Sequence, residues 1–236
     1  MDADRRARDD TGGSALNGDG AAFGACVEDR SALRSIYREP THVVVNKGID
    51  HIDDGVRGFI ERSPLFVLAT GDGERNDASP RGGPPGFVRV IDEHRLAFGD
   101  LVGNNRLDSY QNIVDHPGVG MLFLVPGLLE TLRVNGRASV SVDPDLRERC
   151  AIDGRVPKVV IGVEVDECYL HCGAAFRRGA VWDPASWVPA AERPSPGAIF
   201  KVHAELDGVS GADIEAGLAE YYENRVWLVG GGHEET

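Results

Sequence analysis

Residues 131–142 alternate more clearly than any other stretch of this chain. Leu132, Val134, Ala138, Val140 and Val142 fall on one side, and Thr131, Arg133, Asn135, Arg137, Ser139 and Ser141 on the other. Successive side chains of a strand point to opposite faces, so the pattern predicts a long strand with one buried wall and one polar wall. A strand of that kind needs partners on both edges and a layer against its apolar face.

The neighbouring segments supply them. Leu65–Ala69 reads as a buried strand followed by a Gly71-Asp72-Gly73 turn, and Phe87–Ile91 and Arg95–Phe98 as two short strands around the turn Asp92-Glu93-His94. Val119–Val125 is a strongly apolar strand and Val159–Val165 a further one. Helical spacing links Ile49, Ile52, Val56, Phe59 and Ile60 ahead of Ser63-Pro64, and Leu107, Tyr110, Ile113 and Val114 ahead of His116-Pro117. Ile214–Arg225 reads as a C-terminal helix. Strands joined by short turns, with few helices between them, predict a mainly β, antiparallel sheet closed into a barrel rather than a βαβ fold.

Residues 1–28 are rich in Asp, Arg, Gly and Ala and nearly free of large apolar side chains, which predicts a disordered tail. Residues 29–236 then read as a single domain, with 42% hydrophobic residues over the whole chain, enough for a substantial core. The net charge of −13 argues against nucleic-acid binding, which needs a basic face to neutralise phosphates. No run approaches the ~18–20 apolar residues that span a membrane. The opening MDADRRARDDTGG has no apolar core after its charges and does not read as a secretory signal. Cys26, Cys150, Cys168 and Cys172 are irregularly spaced and do not resemble a disulfide framework, so the cytoplasm is the expected location. Cys168 and Cys172 flank His171, but on a strand the two thiols share a face from which the imidazole points away, and no metal site is expected.

No GxxxxGK[ST] loop, no GxGxxG at a strand-to-helix junction and no GxSxG elbow occurs, which disfavours the enzyme classes built on them. Three other stretches carry chemistry. Ser79-Pro80-Arg81-Gly82-Gly83-Pro84-Pro85-Gly86 reads as a stiff loop around one guanidinium, able to approach a ligand closely. Gly103-Asn104-Asn105-Arg106 opens the short helix, where free N–H groups, the helix dipole and the Arg106 fork favour an anion. Thr131–Arg137 places Arg133 and Arg137 on the polar wall of the long strand. Each also has a bland reading, as a solvated turn, an Asn-capped helix with an exposed arginine, or surface charge.

Together, "FIERSPLFVLAT", "ASPRGGPPGFVRVID", "GNNRLDSYQNIVDHPGVGMLFLVPG", "ETLRVNGRA" and "YLHCGAAFRRGAVWDPASW" resemble the pyridoxamine-phosphate-oxidase-like, FMN-dependent proteins over residues 31–225. The resemblance implies an FMN-binding split β-barrel that forms a homodimer with flavin between the subunits. It implies that Asn104, Asn105 and Arg106 hold the phosphate, and that Ser79 and Arg81 line the flavin and ribityl chain with Arg133 near the same pocket. Arg177, Arg178 and Trp182 would come from the C-terminal segment of the same or the partner subunit. The implied activity is an FMN-dependent oxidoreductase acting on a small molecule. Another cofactor, such as a deazaflavin or haem, and a non-catalytic flavin-binding or regulatory dimer are the alternatives. Leu101-Val102 and Ala174 stand where similar sequences carry Arg-Pro and a lysine. No residue reads as an obligatory general acid or base, and a lone His171 is more often structural.

Overall fold

The computed structural model describes residues 23–27, 29–101 and 103–227. Most of the tail expected at 1–28 therefore lies outside the described residues. The chain falls into two units, Met1–Val45 and Asn46–Thr236. In the first, helix α1 (Arg30–Ile36) begins at an Asp29 cap whose carboxylate accepts from Ala32 N at 2.7 Å. Helix α2 (His42–Asn46) follows it.

The second unit is built on seven strands: β1 (Leu65–Gly71), β2 (Asn76–Gly82), β3 (Val88–Val90), β4 (Arg95–Gly99), β5 (Gly118–Leu124), β6 (Thr131–Ser141) and β7 (Val160–His171). They form one sheet in the order β2-β1-β5-β6-β7-β4-β3, with every ladder antiparallel. Among the described residues no ladder joins β2 to β3. The architecture is thus the expected mainly β split-barrel fold, but the sheet does not close by hydrogen bonding.

The alternation at 131–142 is realised as β6. Leu132, Val134 and Ala138 are buried, whereas Val142 lies past the strand end and is exposed. The core they enter is centred on Phe66, whose ring lies 5.0 Å from those of Phe98 and Phe123 and 5.8 Å from that of Phe87. Ile60, Leu68, Met121, Ile161 and Val163 complete it. Removing a fully buried Phe from such a centre costs ~3–5 kcal/mol.

Several sequence expectations shift. The first helix of this unit, α3 (Asp54–Arg62), starts at Asp53, whose carboxylate accepts from Val56 N at 2.7 Å. Ile49 and Ile52 precede it and bond to strand and turn backbone instead, Ile49 with Cys168 and Ile52 with Glu93. The stretch expected as a loop from Ser79 is largely strand. Residues 76–82 pair with β1 in full register, and Pro80 is tolerated because β2 is an edge strand that pairs only with β1. The tight turn begins at Gly83, where an added Cβ would stand 2.6 Å from the Phe87 ring. Helix α4 (Asp108–Asp115) buries Ser109, Tyr110 and Ile113, while Leu107 caps it in a left-handed conformation and Val114 faces out.

β7 runs well beyond the predicted Val159–Val165. Opposite β6, Asn135 faces Glu167 but Gly136 faces Val165, so Asp166 is an extra residue on β7. Such a bulge reverses the inward parity of a strand. Before it, Ile161, Val163 and Val165 are buried; after it, Cys168 is. Gly136 sits at the same irregularity, where a Cβ would collide with the Glu164 carbonyl oxygen. The remaining helices are α5 (Pro144–Arg149), α6 (Ala174–Arg178), α7 (Pro196–His203) and α8 (Gly211–Asn224), the last opening with a Ser210/Asp213 capping box. No helix among the described residues is long and apolar enough to cross a membrane.

Candidate functional site

Strand period places Asp77, Ser79 and Arg81 on one face of β2, the face turned toward α4. There the polar side chains are tied together. Asp77 accepts from Thr70 Oγ1 at 2.8 Å, Asn112 Nδ2 at 2.7 Å and Ser109 Oγ at 3.3 Å. Ser79 Oγ and Ser109 Oγ are 3.1 Å apart. This network fixes α4 against the edge strand and satisfies the Asp77 carboxylate without a cation.

Next to it, a cavity of about 660 Å³ opens between β2, the end of β4 and the segment leading into α4. Ser79 and Arg81 line one wall, Asn104, Asn105 and Arg106 another, and Asp100, Leu101 and Tyr110 lie between them. The volume is within the ~300–1,000 Å³ of small-molecule and cofactor sites. Arg81 Nε is buried without a hydrogen-bond partner, and its guanidinium carbon lies 5.2 Å from the centre of the Tyr110 ring. A buried charged donor left unmade is costly.

The opposite wall is built by local geometry. Asn104 Oδ1 accepts from Arg106 N at 3.0 Å, and Asn105 and Leu107 both adopt positive φ, 58° and 59°. The turn delivers the chain to the start of α4, where helix N–H groups favour an anion. Arg106, however, donates from Nε to Asp108 Oδ2 at 2.8 Å, and that pairing raises its already high pKa.

Between the walls, Tyr110 OH donates to Asp100 Oδ1 at 2.6 Å. Burial pushes the Asp100 carboxyl up from its usual range, opposed by the Tyr110 bond and by the charges of Arg81 and Lys158. Burial likewise raises the Tyr110 phenol, followed by its bond to Asp100. The Tyr110 phenol therefore stays protonated near neutrality.

Five of the nine residues suggested by the resemblance are thus brought together: Ser79, Arg81, Asn104, Asn105 and Arg106. The other four line no part of this cavity. Arg133 lies on the outer face of β6 and donates to Tyr169 OH at 3.0 Å. Arg177 and Arg178 end α6, exposed, and Trp182 donates from Nε1 to Leu128 O at 2.8 Å beside the Phe176 ring. Leu101, which stands where similar sequences carry arginine, does line the cavity; Val102 lies outside the described residues, and Ala174 is elsewhere, in α6. Sequence reading missed Asp100, Tyr110 and Trp227, all of which line the cavity. Helical spacing alone puts Tyr110 on the apolar face of its helix. No motif marks Trp227, which reaches the site only through the turn after α8.

A larger, shallower concavity near His94 is lined mostly by charged side chains, among which Arg95 and Asp92 already pair at 2.5 Å. Among the described residues no group of three or more His, Cys, Asp or Glu could hold a metal ion.

Comparison with known proteins places this geometry in a family. Residues 52–172 match the pyridoxamine 5'-phosphate oxidase family, and that span includes β1–β7 and the cavity walls on β2 and α4. A search of curated proteins found no match. Among solved structures, HupZ of Group A Streptococcus is 18% identical at TM-score 0.42, covering 50% of this chain and 93% of its own. General stress protein 26 of Bacillus anthracis str. Sterne is 17% identical at TM-score 0.37, covering 48% and 88%. An FMN-binding protein of Syntrophomonas wolfei is 11% identical at TM-score 0.38, covering 49% and 88%. With over half of its length matched by the family, and its antiparallel sheet and α4 within that match, the chain belongs to the pyridoxamine 5'-phosphate oxidase family.

Proposed function

We propose that the protein is an FMN-dependent oxidoreductase acting on a small molecule, with the flavin nucleotide held in the cavity between β2 and α4. The observation that carries this reading is that Arg81, whose Nε is buried without a partner, lines a cavity whose far wall is an Asn-Asn-Arg turn at a helix start. The donor set suits a phosphorylated, planar, acceptor-rich group. Arg106, together with the N–H groups before α4, would hold the phosphate, Ser79 a ribityl hydroxyl, and Arg81 a polar edge of the ring. When bound, the flavin supplies reversible two-electron chemistry. Arg81 and Tyr110 would line the ring, and the buried Tyr110 phenol would stay protonated beside it.

The same reading makes the protein a homodimer. The face of β1, β2 and β5 opposite the core carries Val67, Ala69, Ala78, Pro80, Gly120 and Leu122, small and apolar residues in direct register. A second copy laid on this face would bury them.

The test is an absorbance spectrum of the purified protein before and after FMN is added, followed by gel filtration. Flavin bands that travel with the protein, at the elution volume of a dimer, support the reading. A protein that releases all added FMN sinks it, and directs the search to another cofactor or a binding role.

A further inference from the structure

The turn after α8 reaches the cavity between β2 and α4 from well beyond the matched span of residues 52–172. Val226 and Trp227 line that cavity together with Tyr110, Phe87 and Phe98. Trp227 is nevertheless 45% exposed. A side chain that lines a cavity and still meets solvent over almost half its surface stands at the rim, one face inward and one outward. Its N–H group is not used to hold it there. Trp182 and Trp187 each donate from Nε1 to a backbone carbonyl, of Leu128 and Val181, whereas Trp227 Nε1 has no such partner among the described residues.

The arm that carries Trp227 is packed on itself and not on the sheet. α7 and α8 pack on each other and only lightly on any other helix or strand. Of its 14 residues α8 buries none, and α7 buries only Gly197. The two helices meet at their first turns, where a Cβ on Gly197 would fall on the Gly211 carbonyl oxygen, so backbone touches backbone. Glu215 Oε1 ties the pair, accepting from Ser195 Oγ at 2.5 Å and from Gly197 N at 3.3 Å. The arm is therefore well joined within itself and weakly joined to the rest. The free energy of a local opening follows the buried contacts it gives up, so such an arm can lift as a unit.

We propose that Trp227, carried on the α7–α8 arm, closes the rim of this cavity and lays its indole on the flat face of the group bound there. This rests on the reading of the cavity as the ligand site. It makes Trp227 a positioning residue, and it favours a planar aromatic ligand over a phosphate ester without a ring, because aromatic faces gain most against other flat, polarisable surfaces.

The test begins without ligand. Cys26→Ser and Cys172→Ser silence the two exposed thiols, and Leu101→Cys puts a new thiol on the cavity wall. Mass spectrometry follows its alkylation by iodoacetamide in the full chain. Adding Trp227→Ala should speed that labelling by about fivefold, as the covered fraction of molecules falls, while Trp227→Phe should stay near the parent rate. The Phe variant keeps an aromatic at the rim and so separates a lost cover from a lost fold. Equal rates in the parent and the Trp227→Ala protein overturn the proposal. FMN is then titrated into chains without the Leu101→Cys change. Trp227→Ala should weaken binding by about 3- to 10-fold, the scale of one aromatic contact, and restore part of the flavin fluorescence that a stacked indole quenches. Unchanged affinity and fluorescence overturn the contact with the ring. If FMN binds none of the proteins, the flavin reading and the ring contact fall together, while the labelling rates still decide whether Trp227 covers the cavity.

Discussion

Two arginines face the same cavity from opposite walls, and they are held in different ways. Arg81 rises from a strand locked in register with β1, its Nε buried and unpartnered over the Tyr110 ring. Arg106 rises from a turn, and its 72%-exposed side chain already donates to Asp108. A buried donor pays its desolvation on folding and gains its partner only on binding. An exposed, paired donor must exchange one carboxylate for another anion, in competition with water and salt. On the proposed reading the strand wall is fixed before a ligand arrives, whereas the turn wall must give up its Asp108 pairing.

This contrast sets the order of effects. Arg81→Ala should weaken FMN binding most, by about 10- to 100-fold, from the ~1.5–3 kcal/mol of a buried charge-assisted bond. Titration by flavin fluorescence quenching reads it directly. An affinity unchanged by the substitution would mean that the orphaned Nε serves packing and not recognition. Arg106→Ala should come next, at about tenfold in low salt. Its effect should fade toward 1 M salt, where the screening length is about 3 Å, while the Arg81 effect persists. Equal salt sensitivity of the two variants would erase the distinction between the walls.

Asp108→Asn sharpens the same comparison from the other side. It releases the Arg106 fork and removes a negative charge from the helix start, so FMN should bind more tightly, by a factor of about 2–5, the scale of a surface pair or a helix-end charge. The double variant Arg106→Ala/Asp108→Asn should then show no gain over Arg106→Ala alone, apart from the helix-end contribution. A gain as large in the double as in the single variant would show that Asp108 acts by general repulsion and not through Arg106.

Much of this arrangement was legible from the sequence, for reasons that differ by region. β6 was readable because one of its walls is core and the other is not, so period 2 survives intact. Both sides of the cavity were found, because an arginine among prolines and glycines and an Asn-Asn-Arg turn are local signals. Their backbone was less clear: Ser79-Pro80-Arg81 forms an edge strand, where proline costs no ladder bond that a neighbour needs. The end of β7 was lost because Asp166 breaks the alternation, and a reading based on period stops there. That lost segment carries Tyr169, so its pairing with Arg133 was not read from the sequence. Trp227 was hidden for another reason, since only the path of α8 brings it to the cavity.

The smallest effect concerns the group between the two walls. Burial raises the Asp100 carboxyl above its unfolded value. A raised carboxyl favours the protonated folded state, so ionisation at neutral pH costs stability, and the cost disappears as pH falls through the raised value toward the unfolded one. Asp100→Asn removes the ionisation while its side-chain oxygen can still accept from Tyr110. It should therefore raise Tm slightly at neutral pH, by no more than the ~2–4 °C that 1 kcal/mol produces in a domain of this size. The gain should vanish in acid, below the ordinary carboxylate range. Tyr110→Phe instead leaves a half-buried acceptor unmade and should lower Tm at neutral pH. Melting curves of both variants across the acid range decide between the two accounts. An Asp100→Asn protein that is less stable at neutral pH would mean that the carboxylate is held there by Arg81, and that Arg81 is not waiting for a ligand.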